Sequence, residues 1–129
     1  MDCECALVLL RGLRDAGYVQ RLGVAANLWP SGNRARLLRG TLDLLGMHYV
    51  PAGIGSNGGS NDHTENLRTN AQTYITPSDY EREGTITTGR QLLKRVFEEA
   101  APSSITLLCT SSLTDAAMFL RDSGKMKSK

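Results

Sequence analysis

Two turns in this chain carry side chains that could hold a cation and a polyol. The first is the opening Asp2-Cys3-Glu4-Cys5, which leads directly into the apolar run Ala6-Leu7-Val8-Leu9-Leu10. The second is Thr110-Ser111-Ser112-Leu113-Thr114, set between the apolar segment Ile105 to Cys109 and a helical pattern from Leu113 to Arg121. Carboxylates and carbonyl oxygens together ligate hard cations such as Ca²⁺, and a hydroxyl-rich turn can meet the hydroxyls of a sugar. In open α/β sheets, ligands bind beyond the carboxyl ends of strands, where such turns lie. Asp2 and Glu4 also have a simpler use, because carboxylates at a helix N-terminus are stabilised by the backbone dipole whatever the function.

Other candidates carry less chemistry. Gly53-Ile54-Gly55-Ser56-Asn57-Gly58 is a literal GxGxxG after an apolar segment. A dinucleotide site needs a helix to begin there, so that backbone amides meet the pyrophosphate. The residues that follow, Gly59-Ser60-Asn61-Asp62-His63, read instead as a substrate-covering loop. His48 and His63 lack spaced partners for metal ligation, and Ser111 and Ser112 have no evident His–Asp pair. Cys109 closes an apolar strand and reads as packing. Trp29, Tyr74 and Tyr80 are isolated aromatics, more often structural than stacked on a base.

The elements that must position these residues follow from periodicity. A helix is expected over Cys5 to Ala16, with Leu7, Leu9, Leu10 and Leu13 packed on a sheet and Gly17 as its stop. Arg21 to Asn27 reads as a short, doubly buried strand of small side chains. Pro30 and Ser31 open a helix to about Leu45, with Leu37, Leu38, Leu42 and Leu45 inward. Tyr49 to Ile54 is the next strand. A polar stretch follows over 55–84, and Thr85 then starts a helix to about Ala100, burying Leu92, Leu93, Val96 and Phe97. Ile105 to Cys109 is the last strand. Strands alternating with helices predict an α/β fold with an open, mostly parallel sheet and flanking helices, Rossmann-like in plan.

Composition sets the bounds. With 129 residues, 40% hydrophobic and 22% charged, the chain suits a single globular domain over 1–129. A net charge of +2 gives no argument for a nucleic-acid partner, and Arg34, Arg36 and Arg39 read as a solvated helix face. Three cysteines without a CxxC pair point to neither a zinc site nor a disulfide scaffold, and a reducing, cytoplasmic setting is expected. No apolar run approaches the roughly 18 residues of a membrane span. The first helix begins within a few residues of Met1, although a parallel α/β domain normally opens with a strand; apparent truncation is the expectation.

Read together, these segments resemble the N-terminal half of the nucleoside hydrolase family, the inosine–uridine preferring nucleoside N-ribohydrolases and their relatives. Asp2 to Leu13 is similar to the helix after the family's Asp-rich first turn, and Leu22-Gly23-Val24-Ala25-Ala26-Asn27 to its second strand. Arg34 to Leu45 is similar to the helix leading to the strand Val50-Pro51-Ala52-Gly53. Thr106 to Asp115 resembles the family's TLVATGPLTN segment, with Ser111-Ser112 in place of Gly-Pro.

The resemblance implies hydrolysis of the N-glycosidic bond of ribonucleosides. In that family a Ca²⁺ ion, held by a DxDxxxDD motif, a Thr carbonyl and a later Asp, binds the ribose and an activated water. Oxocarbenium character then develops as the base departs. Thr110 falls at the carbonyl ligand and Asn27 near the sugar. One register places Asp2-Cys3 on the acidic pair and another Glu4-Cys5, so Asp2 or Glu4 is the implied catalytic carboxylate, with Asp2 a metal ligand. Each register keeps one carboxylate and sets a cysteine where the second stands, so weak or no activity is expected of the chain alone. The upstream DxD and the C-terminal Asp are not in the chain, the sense in which it looks truncated at both ends.

The alternative is a non-catalytic domain that keeps the fold and binds a ligand or a protein. Uncovered sheet edge and apolar helix face would then invite pairing, including a homo-oligomer.

Overall fold

The computed structural model describes residues 2–58 and 86–122. Helices α1 (Asp2–Asp15) and α2 (Ser31–Leu44) flank strand β1 (Val24–Ala26) in the chain, and β2 (Ala52–Ile54) follows. Strand β3 (Ile86–Thr88) runs directly into α3 (Gly89–Glu99), and α4 (Thr114–Asp122) comes last. The molecule is α/β, with a three-stranded parallel sheet in the order β1-β2-β3. Residues 59–85 lie outside the described residues, and with them most of the polar stretch 55–84 together with His63, Tyr74 and Tyr80.

Register fixes what faces what. Val24, Ala52 and Ile86 lie in one row across the sheet, and Ala25, Gly53 and Thr87 in the next. Side chains alternate faces along a strand, so the two rows point to opposite sides. The first row joins the core built by Leu7 of α1, Leu38 and Leu42 of α2, and Met47, Val50 and Ala52. On the other side a Cβ built on Gly53 would meet the Gly89 Cα and Leu92 of α3. Helices α2 and α3 therefore cover opposite faces of the sheet. Phe97 of α3 packs on Phe119 of α4, ring centroids 4.7 Å apart.

Several expectations need correction. Strand β1 spans Val24–Ala26 and lies at a sheet edge, with Ala25 exposed, not doubly buried. Leu9 is 62% exposed and turns away from the core that takes Leu7. Arg39 is buried, not on a solvated face: its guanidinium donates to the Val50 and Met47 carbonyls and to Asp43. Ile86–Thr88 forms a strand before α3, where a helix start was expected.

The largest departure is Ile105 to Cys109, which is assigned to no strand. Leu108 is 59% exposed, and Cys109 is an exposed free thiol instead of a packed one. Apolar composition supplies the burial tendency of a strand, but a strand also needs an edge about 4.8 Å away to accept its ladder. This segment pairs with none of the described strands.

Helix α3 begins with a reciprocal cap. Thr88 Oγ1 accepts from the Gln91 backbone N–H at 3.2 Å and donates to Gln91 Oε1 at 2.9 Å, satisfying one of the helix's open amides. Thr88→Ala is expected to cost about 1 kcal/mol in urea unfolding, with Thr88→Ser retaining most of it. A shift no larger than the error of the measurement would remove this cap from the account of α3.

Candidate functional site at the carboxyl ends of the strands

Beyond the carboxyl ends of β1 and β2, three segments meet. Asn27 follows β1, Gly55-Ser56-Asn57 follows β2, and Ser111 to Asp115 leads into α4. The Asn27 amide nitrogen donates to the Ser112 carbonyl at 2.8 Å and to Asp115 Oδ2 at 2.9 Å. Asp115 Oδ2 also accepts from Ser56 Oγ at 2.9 Å, and Oδ1 from the Ser56 backbone N–H at 2.8 Å. On the open side, Ser111 Oγ donates to Asn27 Oδ1 at 2.5 Å and accepts from the Ser112 N–H at 2.6 Å. A carboxylate that accepts three hydrogen bonds is well satisfied. Asp115 thus ties the ends of two parallel strands to the start of α4.

Local sequence explains why these residues can meet. The Leu28 N–H bonds the Ser56 carbonyl at 2.9 Å, with Leu28 in the left-handed region at φ 74°, so the chain turns away directly after Asn27. Asn57 Oδ1 accepts from the Ser31 N–H and hydroxyl, 3.1 and 2.8 Å, and so caps α2 from the neighbouring loop. Gly55 is required by space: a Cβ there would lie 2.9 Å from Asn27 Cβ and 3.1 Å from Asp115 Oδ2. Gly53 and Gly55 of the GxGxxG pattern are accounted for by these close approaches. Residues 55–58 are irregular, and no helix begins among them.

The residues implicated from sequence lie as follows. Asn27 is half-buried at the heart of the network. Thr110 is exposed, beside Ser111, and its hydroxyl lies 3.9 Å from the Cys3 thiol. That contact brings the N-terminus of α1 to the turn. Glu4 is exposed in the first turn of α1. A hydrogen bond from the chain's amino group holds its carboxyl below the ordinary carboxylate value, aided by a backbone hydrogen bond and opposed by partial burial. The Asp2 side chain lies outside the described residues. Ser56 and Asp115 belong to the cluster without standing out in the sequence, whereas Ser111 lies in the hydroxyl-rich turn expected to face a ligand. The only hint was that the Thr-Ser-Ser-Leu-Thr-Asp run opens a helix.

Would these groups suit a Ca²⁺ ion? The α1 side chain described at Thr110 is a thiol, a poor ligand for a hard dication that takes oxygen donors. The Asp115 carboxylate is committed to Asn27 and Ser56. No cluster of three His, Cys, Asp or Glu side chains suited to a metal occurs among the described residues. The donors described here do not fit the ion.

Compared with protein-family models, with curated proteins and with solved structures, the chain shows no significant match. No helix among the described residues is long and apolar enough to cross a membrane.

Proposed function

We propose that this chain is a nucleoside hydrolase-like protein, on a Rossmann-like plan, whose strand-end cluster binds the sugar of a ribonucleoside. The family's reaction is hydrolysis of the N-glycosidic bond by a Ca²⁺-activated water. Here the chain alone is expected to turn over weakly or not at all. The observation that supports this reading is the meeting of Asn27 with the Ser111–Asp115 turn, the two segments whose sequences carry the resemblance. Thr110 lies one residue away from that contact. Because the described donors do not fit Ca²⁺, the residues' roles are binding and orientation. Asn27 and Ser111 meet the sugar hydroxyls, and Asp115 holds Asn27 in place.

The test is release of free ribose from inosine, uridine and adenosine, with Ca²⁺ and with chelator, alongside binding of the same nucleosides by isothermal titration. Binding with little or no ribose release is the expected result. Chelator-sensitive release that Asp2→Asn or Glu4→Gln abolishes would assign catalysis to a reduced ligand set. Neither binding nor release, by protein shown to be folded, would reject the reading.

A second reading has its own observation. Ile105 to Cys109 has no strand partner, and Leu108 on it and Leu120 on α4 are largely exposed. Exposed apolar surface next to unpaired backbone favours association, so a non-catalytic domain that pairs with a second copy or another protein is the competing function. Light scattering after size exclusion separates the two: a stable monomer at high concentration counts against it.

A further inference from the structure

We infer that the free edge of β1 and the unpaired run Ile105 to Cys109 form one slot for an incoming β-strand, taken by the apolar end of another polypeptide chain. This rests on the pairing reading above and adds to it the partner's chemistry. Strand β1 spends one edge on β2: the Val24 N–H bonds the Pro51 carbonyl at 3.1 Å, and the Ala26 carbonyl accepts from the Gly55 N–H at 2.8 Å. Bonding groups alternate between the two edges along a strand. The N–H and C=O of Ala25 therefore point outward, where β1 has no neighbour in the sheet. The second edge is Ile105 to Cys109, whose backbone makes no hydrogen bond among the described residues. Unpaired N–H and C=O groups in a row are a template for another strand.

The path of the chain gives these two edges one direction and one corner. Helix α3 starts after β3 at the carboxyl ends of the strands and returns to their amino ends. There Val96 lies against Gly23, and Glu99 pairs with Arg21 at 3.9 Å. The chain then runs back from Ile105 to Ser112, whose carbonyl meets the Asn27 amide after β1 at 2.8 Å. At the same corner Thr110 meets Cys3 of α1. The two edges thus run the same way, are tied at their carboxyl ends, and do not bond along their length. One strand between them would use both, alternate residues bonding to each side. About five residues, at roughly 3.3 Å each, cover the distance.

The walls select the occupant. No charged residue occurs from Leu22 to Asn27 or from Ile105 to Thr110, and Leu107 and Leu108 are 40% and 59% exposed. A charge in the slot would lose water without gaining a partner, so the strand is apolar. The Asn27–Ser112 tie closes the carboxyl end. The strand therefore enters from the amino end, as a chain terminus can and a segment held at both ends cannot. The described strands of a second copy do not qualify: its 105–109 run is held in the same way, and its β1 has one edge to give.

The probes are two acetylated and amidated peptides, Val-Ile-Val-Ile-Val preceded by Lys-Lys-Gly or followed by Gly-Lys-Lys, titrated against the intact chain by amide NMR. The one whose lysines remain at the open end should bind. Exchange of the Ala25 amide, and of at least one of Leu107 and Leu108, should then slow by about tenfold or more. N-methylation of the three valines, or of the two isoleucines, should each weaken binding by about tenfold or more, because the two sets serve different edges. Leu108→Asp, an exposed change that leaves the core in place, should weaken it to a similar degree. Loss with one methylated set alone would overturn the slot, since only one edge would be in use. Equal binding of a peptide with lysine at the central position would overturn the apolar selection. Dimers in light scattering that bind no probe would overturn the inference and leave the pairing reading standing, with a second copy as partner. A stable monomer that binds neither probe would reject both.

Discussion

Arg39→Ala is expected to destabilise the protein by about 3 kcal/mol, the cost of opening a buried, hydrogen-bonded charge site. The side chain leaves α2 and enters the turn that leads to β2. Nη1 donates to the Val50 carbonyl at 2.6 Å, and Nη2 to the Met47 carbonyl at 3.2 Å and Asp43 Oδ1 at 2.8 Å. Met47 and Val50 are buried core residues, so their carbonyls would lose a partner where water does not easily replace it. The loss should appear as a drop in Tm of roughly 10 °C and an equivalent fall in the urea midpoint. Arg39→Lys should recover less than half, because an ammonium cannot span the three acceptors that the planar guanidinium reaches. Added salt should change the effect little, since the guanidinium is shielded from the ionic atmosphere. Arg11→Ala is the control: its pair with Asp15, 3.6 Å apart, lies in solvent and should cost less than about 0.5 kcal/mol. If the two arginine variants unfold alike, the Arg39 site does not hold the α2–β2 turn.

Arg39 also marks where pattern reading ends. Three arginines spread around one helix look alike in sequence, and charge on a helix normally means solvent. What removes Arg39 from solvent is the turn that follows α2, whose carbonyls point inward with no strand to receive them. That is a tertiary fact, absent from helical periodicity. By contrast α2 follows its pattern closely, because its start after Pro30, its spacing and the buried Leu38 and Leu42 agree along it. Ile105 to Cys109 shows the converse failure. Its composition is that of a buried strand, yet it pairs with none of the described strands, and the edge strand β1 keeps only β2 as neighbour.

The site was legible in its location and not in its members. The hydroxyl-rich turn stands out because polar residues at strand ends, before helices, lie where α/β sheets bind ligands, whereas Asn27 enters through the resemblance alone. Asp115 does not stand out, since an acidic residue in the first turn of a helix satisfies the dipole without any further role. Its importance comes from two residues far away in the chain, Asn27 and Ser56, which only the sheet brings within hydrogen-bonding distance. The cysteines at the chain's opening are similar. Their spacing says little, whereas the 3.9 Å approach of Cys3 to Thr110 says which chemistry that corner does not favour.

Gly53→Ala is expected to cost about 3 kcal/mol, at the upper end for overpacking, because the new methyl meets backbone. A Cβ on Gly53 would stand 2.9 Å from the Gly89 Cα and 3.2 Å from the Gly89 nitrogen, with Leu92 Cδ2 at 3.1 Å. Leu92 can change rotamer, but the first residue of α3 cannot yield without lifting the helix from the sheet. Gly89 approaches the next residues of the same segment nearly as closely, since a Cβ on it would lie 3.1 Å from the Ile54 carbonyl oxygen and 3.2 Å from the Gly55 Cα. Two glycines at one helix–strand contact should not act independently. Once α3 has moved out for the first methyl, the second finds space, so Gly53→Ala with Gly89→Ala should cost well under the sum of the single changes. Gly12→Ala gives the opposite sign: nothing lies within 4 Å of its built Cβ in α1, and removing a helical glycine should stabilise by roughly 0.5–1 kcal/mol. Urea midpoints of the four variants decide the matter. A neutral Gly53→Ala would mean that α3 is not seated on β2, and the GxG of the motif would then need a reason other than packing.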